Sequence, residues 1–106
     1  MTGVQTCALP IYLLITYDVS TETKEGRRRL RRIAKTCQDF GQRVQLSVFE
    51  CKLNGADWIA LRARLLKEMN DKEDSLRFYK LCEDDMAKVE HHGRGKPLNL
   101  DDPLIV

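Results

Sequence analysis

A nearly continuous apolar segment, IYLLITYDV at residues 11–19, constrains the fold of this chain more than any other feature. It is rich in β-branched and aromatic side chains, which favour strands. A strand without polar alternation is covered on both faces, so the segment predicts a central strand of its sheet. The chain of 106 residues is long enough for one compact domain around that strand. The longest apolar run, Cys7 to Tyr17, is about half as long as a bilayer-spanning helix, so no membrane association is expected.

The residues after this strand predict a helix that ends at Phe40. Thr23 is a suitable N-cap for the helix, and Gly41 is expected to end it. The apolar positions repeat with helical spacing, at Leu30, Ile33, Ala34, Cys37 and Phe40.

One face of the predicted helix is strongly basic. Residues 24–35 hold seven Lys and Arg side chains against Glu25 alone, whereas the formal net charge of the whole chain is only +2. Two interpretations stay open: a row of groups that contacts a phosphate backbone, or the solvated face of an amphipathic helix. Arg43 either extends the basic surface or pairs with an acid. The cations opposite the apolar stripe are Lys24, Arg28, Arg31, Arg32 and Lys35, and those flanking it are Arg27 and Arg29.

The rest of the chain completes an α+β pattern. Residues 43–53 alternate in polarity and predict either one bent strand or two strands joined by a tight turn near Ser47. The segments that follow are a helix from the NGAD turn at 54–57 to about Asn70, a strand at 75–82, a charged irregular segment at 83–97 and a terminal edge strand, PLIV, at 103–106.

This order of elements predicts a ferredoxin-like βαββαβ sandwich with an extra C-terminal strand and with both helices on one face of an antiparallel sheet. The other face then needs a partner, and homodimerisation is the economical way for so small a chain to cover it. Residues 1–11 are predicted to be a leader, either non-native or flexible, and residues 12–106 a single domain. The four cysteines form no CxxC pair, so no zinc site is expected. In the absence of a secretory signal pattern, we expect reduced thiols and a cytoplasmic protein.

Asp18 is the candidate catalytic residue because it stands where the buried strand ends. A carboxylate at a sheet rim can bind Mg²⁺ or Mn²⁺, but one carboxylate is a poor magnesium site, and two copies would meet only across a two-fold dimer. The alternative is that Asp18 accepts hydrogen bonds from the backbone amides of residues 20–21 as an Asx turn. On the local sequence alone, the turn is the preferred interpretation.

Four motifs together resemble one known family. They are LLITYDVST, the Gly-Arg-Arg-Arg-Leu start of the first helix, GQRVQLSVFEC and DSLRFYKL, in this order. In this combination the chain resembles the small CRISPR-associated protein of the spacer-acquisition machinery, the "Cas two" family, over residues 12–106. The Arg-Val-Gln-x-Ser-Val-Phe-Glu motif at this distance from Tyr-Asp-Val is the most specific element of the resemblance.

The resemblance implies a homodimer in which each C-terminal strand joins the partner's sheet. It also implies that two copies of the aspartate matching Asp18 face each other across the dimer and hold a divalent metal ion, Mg²⁺ or Mn²⁺. The positions that match residues near that cleft are Tyr17, Arg27, Arg28, Arg29, Arg43, Ser47 and Phe49.

Two functions follow from the resemblance. Family members are described as metal-dependent endonucleases acting on single-stranded RNA or double-stranded DNA. They are also described as bridges between dimers of a larger integrase subunit, in a heterohexameric or heterotetrameric complex that inserts new spacers into the CRISPR array. The first function makes Asp18 catalytic and the arginines phosphate ligands. The second makes the chain a DNA-binding scaffold, and the sequence supports the same sites under both.

Overall fold

The computed structural model describes residues 10–95, and these form four strands and three helices in the predicted ferredoxin-like order. Within these residues no helix is both long and apolar enough to cross a membrane. Ile11, where the predicted leader and the predicted strand overlap, is the first residue of a strand. The predicted terminal strand at 103–106 lies outside the described residues. The elements are β1 (Ile11–Asp18), α1 (Lys24–Phe40), β2 (Gln42–Gln45), β3 (Val48–Leu53), α2 (Gly55–Glu68), β4 (Ser75–Leu81) and α3 (Glu83–Ala87).

The strands form one antiparallel sheet in the order β2-β3-β1-β4. β1 therefore has a neighbour on each edge, as its apolar sequence predicts. Leu14 lies opposite Glu50 of β3 on one side and Tyr79 of β4 on the other. The α+β fold class predicted from the sequence is confirmed.

The two faces of the sheet differ because successive side chains of a strand point to opposite sides. The odd-numbered residues of β1 from Leu13 to Tyr17, and Val19 directly after the strand, are buried under α1 and α2. Each fully buried Leu, Ile or Phe side chain stabilises the fold by about 1.5–3 kcal/mol. The even-numbered residues, including Thr16 and Asp18, lie on the open face, away from the two helices. The core residues from the other elements include Ile33, Cys37, Phe49, Cys51, Leu53, Leu61 and Leu65.

Both ends of α1 form as predicted, but Gly41 acts for a different reason. At the start, the Thr23 hydroxyl accepts a hydrogen bond of 3.0 Å from the backbone N–H of Gly26. At the end, Gly41 has an extended backbone with φ of −161°, so no left-handed conformation demands a glycine. A β-carbon at Gly41 would instead collide with the Sγ of Cys51 and the carbonyl of Glu50. Close packing of the helix end against β3 therefore requires a residue without a side chain.

The structure decides one open question and corrects one prediction. Residues 43–53 are two strands, joined by a turn at Leu46 and Ser47. The segment 83–97, predicted to be irregular, begins with the short helix α3. The backbone N–H of Cys82 donates to the carboxylate of Asp85 at 3.2 Å, and Met86 is buried. A helix of five residues is too short to display the apolar periodicity by which helices are predicted.

Asp74 joins three parts of the chain. Its carboxylate, 1% exposed, accepts hydrogen bonds from Arg29 Nε at 2.9 Å, from the N–H of Ser20 at 3.1 Å and from the N–H of Asn70 at 2.9 Å. Burial by itself would raise the pKa of Asp74, but these hydrogen bonds, led by that of Arg29, outweigh it and lower the pKa. The loop after β1, the first turns of α1 and the loop before β4 are thereby fixed to one another.

The buried thiols predict how stability depends on pH. Burial raises the pKa of Cys37 and of Cys51 from 9.0 to about 12. The unfolded chain therefore loses these protons near pH 9, while the folded chain keeps them. As a result, the free energy of unfolding has its maximal thiol contribution below pH 9 and decreases from pH 9 toward pH 12. Each thiol contributes a decrease of up to about 1.4 kcal/mol per pH unit in urea denaturation. The Cys37→Ala/Cys51→Ala protein should show a shallower decrease and the Cys82→Ala protein the wild-type profile. Equal slopes in all three would contradict the assignment.

The Asp74 contacts predict a local stability difference between two aspartates of one loop. Asp74→Ala leaves the N–H groups of Ser20 and Asn70 without their acceptor, and it should lower the free energy of unfolding by about 1–3 kcal/mol. Asp71→Ala, an exposed residue of the same loop, should change it by less than about 0.5 kcal/mol. Denaturant unfolding of both variants measures the difference, and similar values for the two would show that Asp74 does not join the loops.

Candidate functional site

Asp18 is exposed at the end of β1, on the open face of the sheet. It lies opposite Ser75 of β4, and antiparallel partners share a face. Thr16 and Arg77 form the next pair on that face. Asp18 and α1 therefore lie on opposite sides of the sheet, although they are only six residues apart in the sequence.

The Asx turn preferred from the local sequence is wrong at Ser20. The N–H of Ser20 donates to Asp74 and not to Asp18. Within residues 10–95, no hydrogen bond or ion pair engages the Asp18 carboxylate. With respect to the described residues, both carboxylate oxygens of Asp18 can therefore accept a ligand.

A single chain supplies Asp18 with few partners for a metal ion. In the described part of the chain, no group of three or more His, Cys, Asp or Glu side chains could hold a metal. An exposed carboxylate with no other contact nevertheless fits the chemistry of Mg²⁺, which keeps several waters and takes oxygen ligands. Its remaining ligands would have to come from a second copy of the chain or from a substrate.

The first arginines of α1 contact protein groups. Arg27 Nη1 donates to the carbonyl of Thr21 at 3.1 Å. Arg29, besides its contact with Asp74, lies 3.3 Å from Glu73, and its hydrogen bonds to Asp74 raise its pKa. The sequence made Arg29 a candidate nucleic-acid ligand, but in the structure its guanidinium is occupied by contacts with Asp74 and Glu73.

The other arginines of α1 line a basic groove between α1 and α2. The groove has a volume of about 600 Å³. Sequence reasoning missed the contribution of α2, because which flank of α2 faces α1 depends on how the two helices pack. The lining residues are Arg28, Arg31, Arg32, Lys35, Thr36, Arg64, Lys67 and Glu68.

The aromatic residues of the predicted cleft belong to the core. Tyr17 is 6% exposed and Phe49 is fully buried, with their ring centroids 6.2 Å apart, and the Arg43 guanidinium lies 5.1 Å from the Phe49 centroid. Burial raises the pKa of Tyr17, and a hydrogen bond with Arg43 partly offsets this. Both rings therefore belong to the core, and their faces are not available to stack on bases.

The turn after β2 is held by Tyr17. The Tyr17 hydroxyl donates to the carbonyl of Leu46 at 3.3 Å, and its N–H donates to the carbonyl of Ser47 at 3.1 Å. Leu46 is 85% exposed. Tyr17, Arg43, Ser47 and Phe49 therefore fix the shape of this corner, and they do so on the side of the sheet away from Asp18.

Sequence reasoning also missed a smaller pocket, which contains Glu50. It has a volume of about 280 Å³ and lies between β2, β3 and residues 89–95. Burial raises the pKa of Glu50, and the charge of His91 partly offsets this. The alternation of β3 places Glu50 on the open face, but no pattern in the sequence indicates that residues 89–95 return to it.

Comparison with known proteins identifies the family. The family model described as CRISPR associated protein Cas2 matches residues 11–89. A protein of Chlorobaculum tepidum named CRISPR-associated endoribonuclease Cas2 is 58% identical over 94 residues, which are 89% of this chain and 98% of that one. These matches agree with the resemblance seen in the four sequence motifs.

Solved structures agree with the sequence comparisons. The crystal structure of Streptococcus pyogenes Cas2 at pH 6.5 covers 77% of this chain and 99% of its own, with 49% identity and a TM-score of 0.68. A chain of a structure titled partial Cas6-RT-Cas1–Cas2 complex covers 91% and 99%, with 24% identity and a TM-score of 0.63, and shares the fold. The chain therefore belongs to the family of CRISPR-associated Cas2 proteins.

Proposed function

We propose that this chain is a metal-dependent endonuclease of the CRISPR adaptation machinery. It hydrolyses phosphodiester bonds of single-stranded RNA or double-stranded DNA and takes part, in the prokaryotic cytoplasm, in the integration of new spacers. The observation that carries the proposal is the Asp18 carboxylate, exposed at the sheet rim and without a partner among residues 10–95. The names of the relatives support the reaction class.

The proposed site needs a homodimer. The carboxylate of one Asp18 supplies too few ligands for a metal ion. Packing of two open sheet faces against each other would bring two copies of Asp18 toward a common two-fold axis. Each Asp18 would contribute carboxylate oxygens to a shared Mg²⁺ or Mn²⁺ ion. The chemistry that such an ion supplies when bound is charge neutralisation at the scissile phosphate and activation of the attacking water.

A second function, a DNA-binding scaffold for the larger integrase subunit, is favoured by the position of the basic groove. The groove lies on the helix side of the sheet, whereas Asp18 lies on the open face. A nucleic acid held by the groove would thus be carried on the surface opposite the proposed cleavage site. A spacer-acquisition assay beside a nuclease assay on one Asp18→Ala protein separates the two functions, because only the nuclease function requires the carboxylate.

Removal of the Asp18 carboxylate should abolish cleavage without unfolding the protein. The wild type is expected to cleave single-stranded RNA or duplex DNA with Mg²⁺ or Mn²⁺, and Asp18→Ala should reduce cleavage to the level measured in EDTA. Asp71→Ala is the matched control, since it also removes an exposed aspartate, and it should keep wild-type activity.

Two results would overturn this assignment: wild-type cleavage that persists in EDTA, and cleavage by Asp18→Ala at the wild-type rate. Sedimentation of each variant at micromolar concentration is required beside the assay, because the shared site exists only in a dimer. A wild type that cleaves no substrate, although it is dimeric, would leave the scaffold as the function.

The exposed cations of α1 should supply part of the affinity for nucleic acid. Replacing Arg28, Arg31 and Arg32 with alanine should flatten the plot of log affinity against log salt by about 2–3 for duplex DNA, since each lost phosphate contact contributes about 0.9. Fluorescence anisotropy over a range of salt concentrations measures the slope. A variant with Arg62, Lys72 and Lys88 replaced removes the same charge elsewhere and should change the slope less. Equal slopes in wild type and both variants would show that the basic face of α1 is solvated surface and does not contact phosphates.

A further inference from the structure

The basic groove has a second flank, on α2, that the motifs of the sequence do not indicate. Arg64 and Lys67 lie on the side of α2 that faces α1, three residues apart and therefore on neighbouring positions of the helix surface. Leu61 and Leu65 anchor the same helix in the core. The backbone of α2 thus places the two cations across the groove from the arginines of α1.

The positive charge of the groove exceeds what its carboxylates neutralise. Six Lys and Arg side chains line it together with the single carboxylate of Glu68, and Asp39 lies at its edge. Within residues 10–95, no carboxylate pairs with Lys67 or with the two α1 arginines Arg28 and Arg31. These cations repel one another in the free protein, and a bound anion reduces that repulsion.

The remaining cations of the groove are held in exposed ion pairs. Arg32 Nη1 lies 3.1 Å from Glu68, and Arg64 Nη2 lies 3.4 Å from Asp39, with half or more of each arginine side chain exposed. A hydrogen bond from Lys35 is the main cause that lowers the pKa of Asp39. Exposed ion pairs contribute little free energy. A phosphate group can therefore compete with Glu68 or Asp39 for these guanidinium groups.

Arg64 also has contacts that orient its guanidinium toward the groove. Its Nη2 donates to the hydroxyl of Thr36 at 3.3 Å, and the guanidinium carbon lies 5.6 Å above the ring of Phe40. A stacked guanidinium loses less conformational freedom when it binds an anion, and its planar donors match phosphate oxygens. Lys67, by contrast, offers a mobile point charge without other contacts in the described part of the chain.

We infer that Arg64 and Lys67 of α2 bind the phosphodiester backbone of a nucleic acid, facing the arginines of α1 across the groove. This backbone site lies on the side of the sheet opposite Asp18, so the nucleic acid bound there is not in contact with the proposed cleavage site of the same chain. The inference rests on the proposed function in one respect: that function identifies the ligand as a nucleic acid. The ligand group that the groove recognises is the phosphodiester backbone, which RNA and DNA share.

Salt-dependent binding of two α2 variants tests the inference. The probes are a labelled mixed-sequence DNA duplex and a single strand of equal length, titrated in EDTA with Asp18→Ala as the parent so that no cleavage occurs. Lys67→Gln should reduce the slope of log affinity against log salt by about 0.9 for the duplex, and Arg64→Gln/Lys67→Gln by about 1.8. The corresponding values for a single strand are about 0.7 and 1.4. The controls are Arg62→Gln and Arg62→Gln/Lys72→Gln, which remove equal charge outside the groove and should leave both slopes unchanged.

Each result decides the inference. Lys67→Gln loses no described contact, so its slope is not confounded by unfolding, and Lys67→Arg should restore the wild-type slope. Slopes that stay unchanged in the groove variants, or that fall equally in the controls, overturn the assignment. A competition experiment provides a further test. If polyglutamate of matched charge displaces the labelled duplex as effectively as unlabelled duplex does, the groove accepts any polyanion and the assignment is overturned. None of these results depends on cleavage, so failure of the proposed nuclease function and failure of this inference are separate outcomes.

Discussion

The antiparallel pairing of β1 on both of its edges is the constraint on which the rest of the structure depends. Because β1 lies between β3 and β4, its side chains can only point to the helix side or to the open side. Leu13, Ile15 and Tyr17 take the helix side and build the core with α1 and α2. The register of the sheet then sends the next residue, Asp18, to the open face. The position of the candidate catalytic residue is therefore a consequence of the same alternation that buries the core.

Much of the fold could be predicted because it is encoded locally. The continuous apolar character of residues 11–19 predicts a central strand, and the spacing of apolar residues predicts α1 together with its cap at Thr23. The reason for Gly41 could not be predicted, because the atoms that exclude a side chain belong to Cys51 and Glu50, on a strand paired through long-range contacts. α3 was missed because five residues do not repeat a pattern.

The candidate site was less predictable because it depends on contacts between residues distant in sequence. Asp74, 54 residues after Ser20, takes the backbone amide that local rules assign to Asp18. The same carboxylate separates Arg29 from Arg28: the two adjacent arginines have equal charge in the sequence, yet one is held in the protein and the other lines the groove. A row of like residues along a helix predicts charge, but only the surrounding packing decides which of them meets a ligand.

The separation of Asp18 from the basic groove bears on how a nuclease and a scaffold can share one small chain. A phosphate bound between α1 and α2 is held by cations, whereas a metal bound at Asp18 would require carboxylates, and the sheet lies between the two sites. Because the two sites lie on opposite sides of the sheet, they do not compete for the same stretch of ligand. In the proposed homodimer, a second copy of the chain would cover the open face and leave the helix face accessible. In such an arrangement the groove could hold nucleic acid whether or not Asp18 cleaves it, so a family member could lose either activity and keep the other.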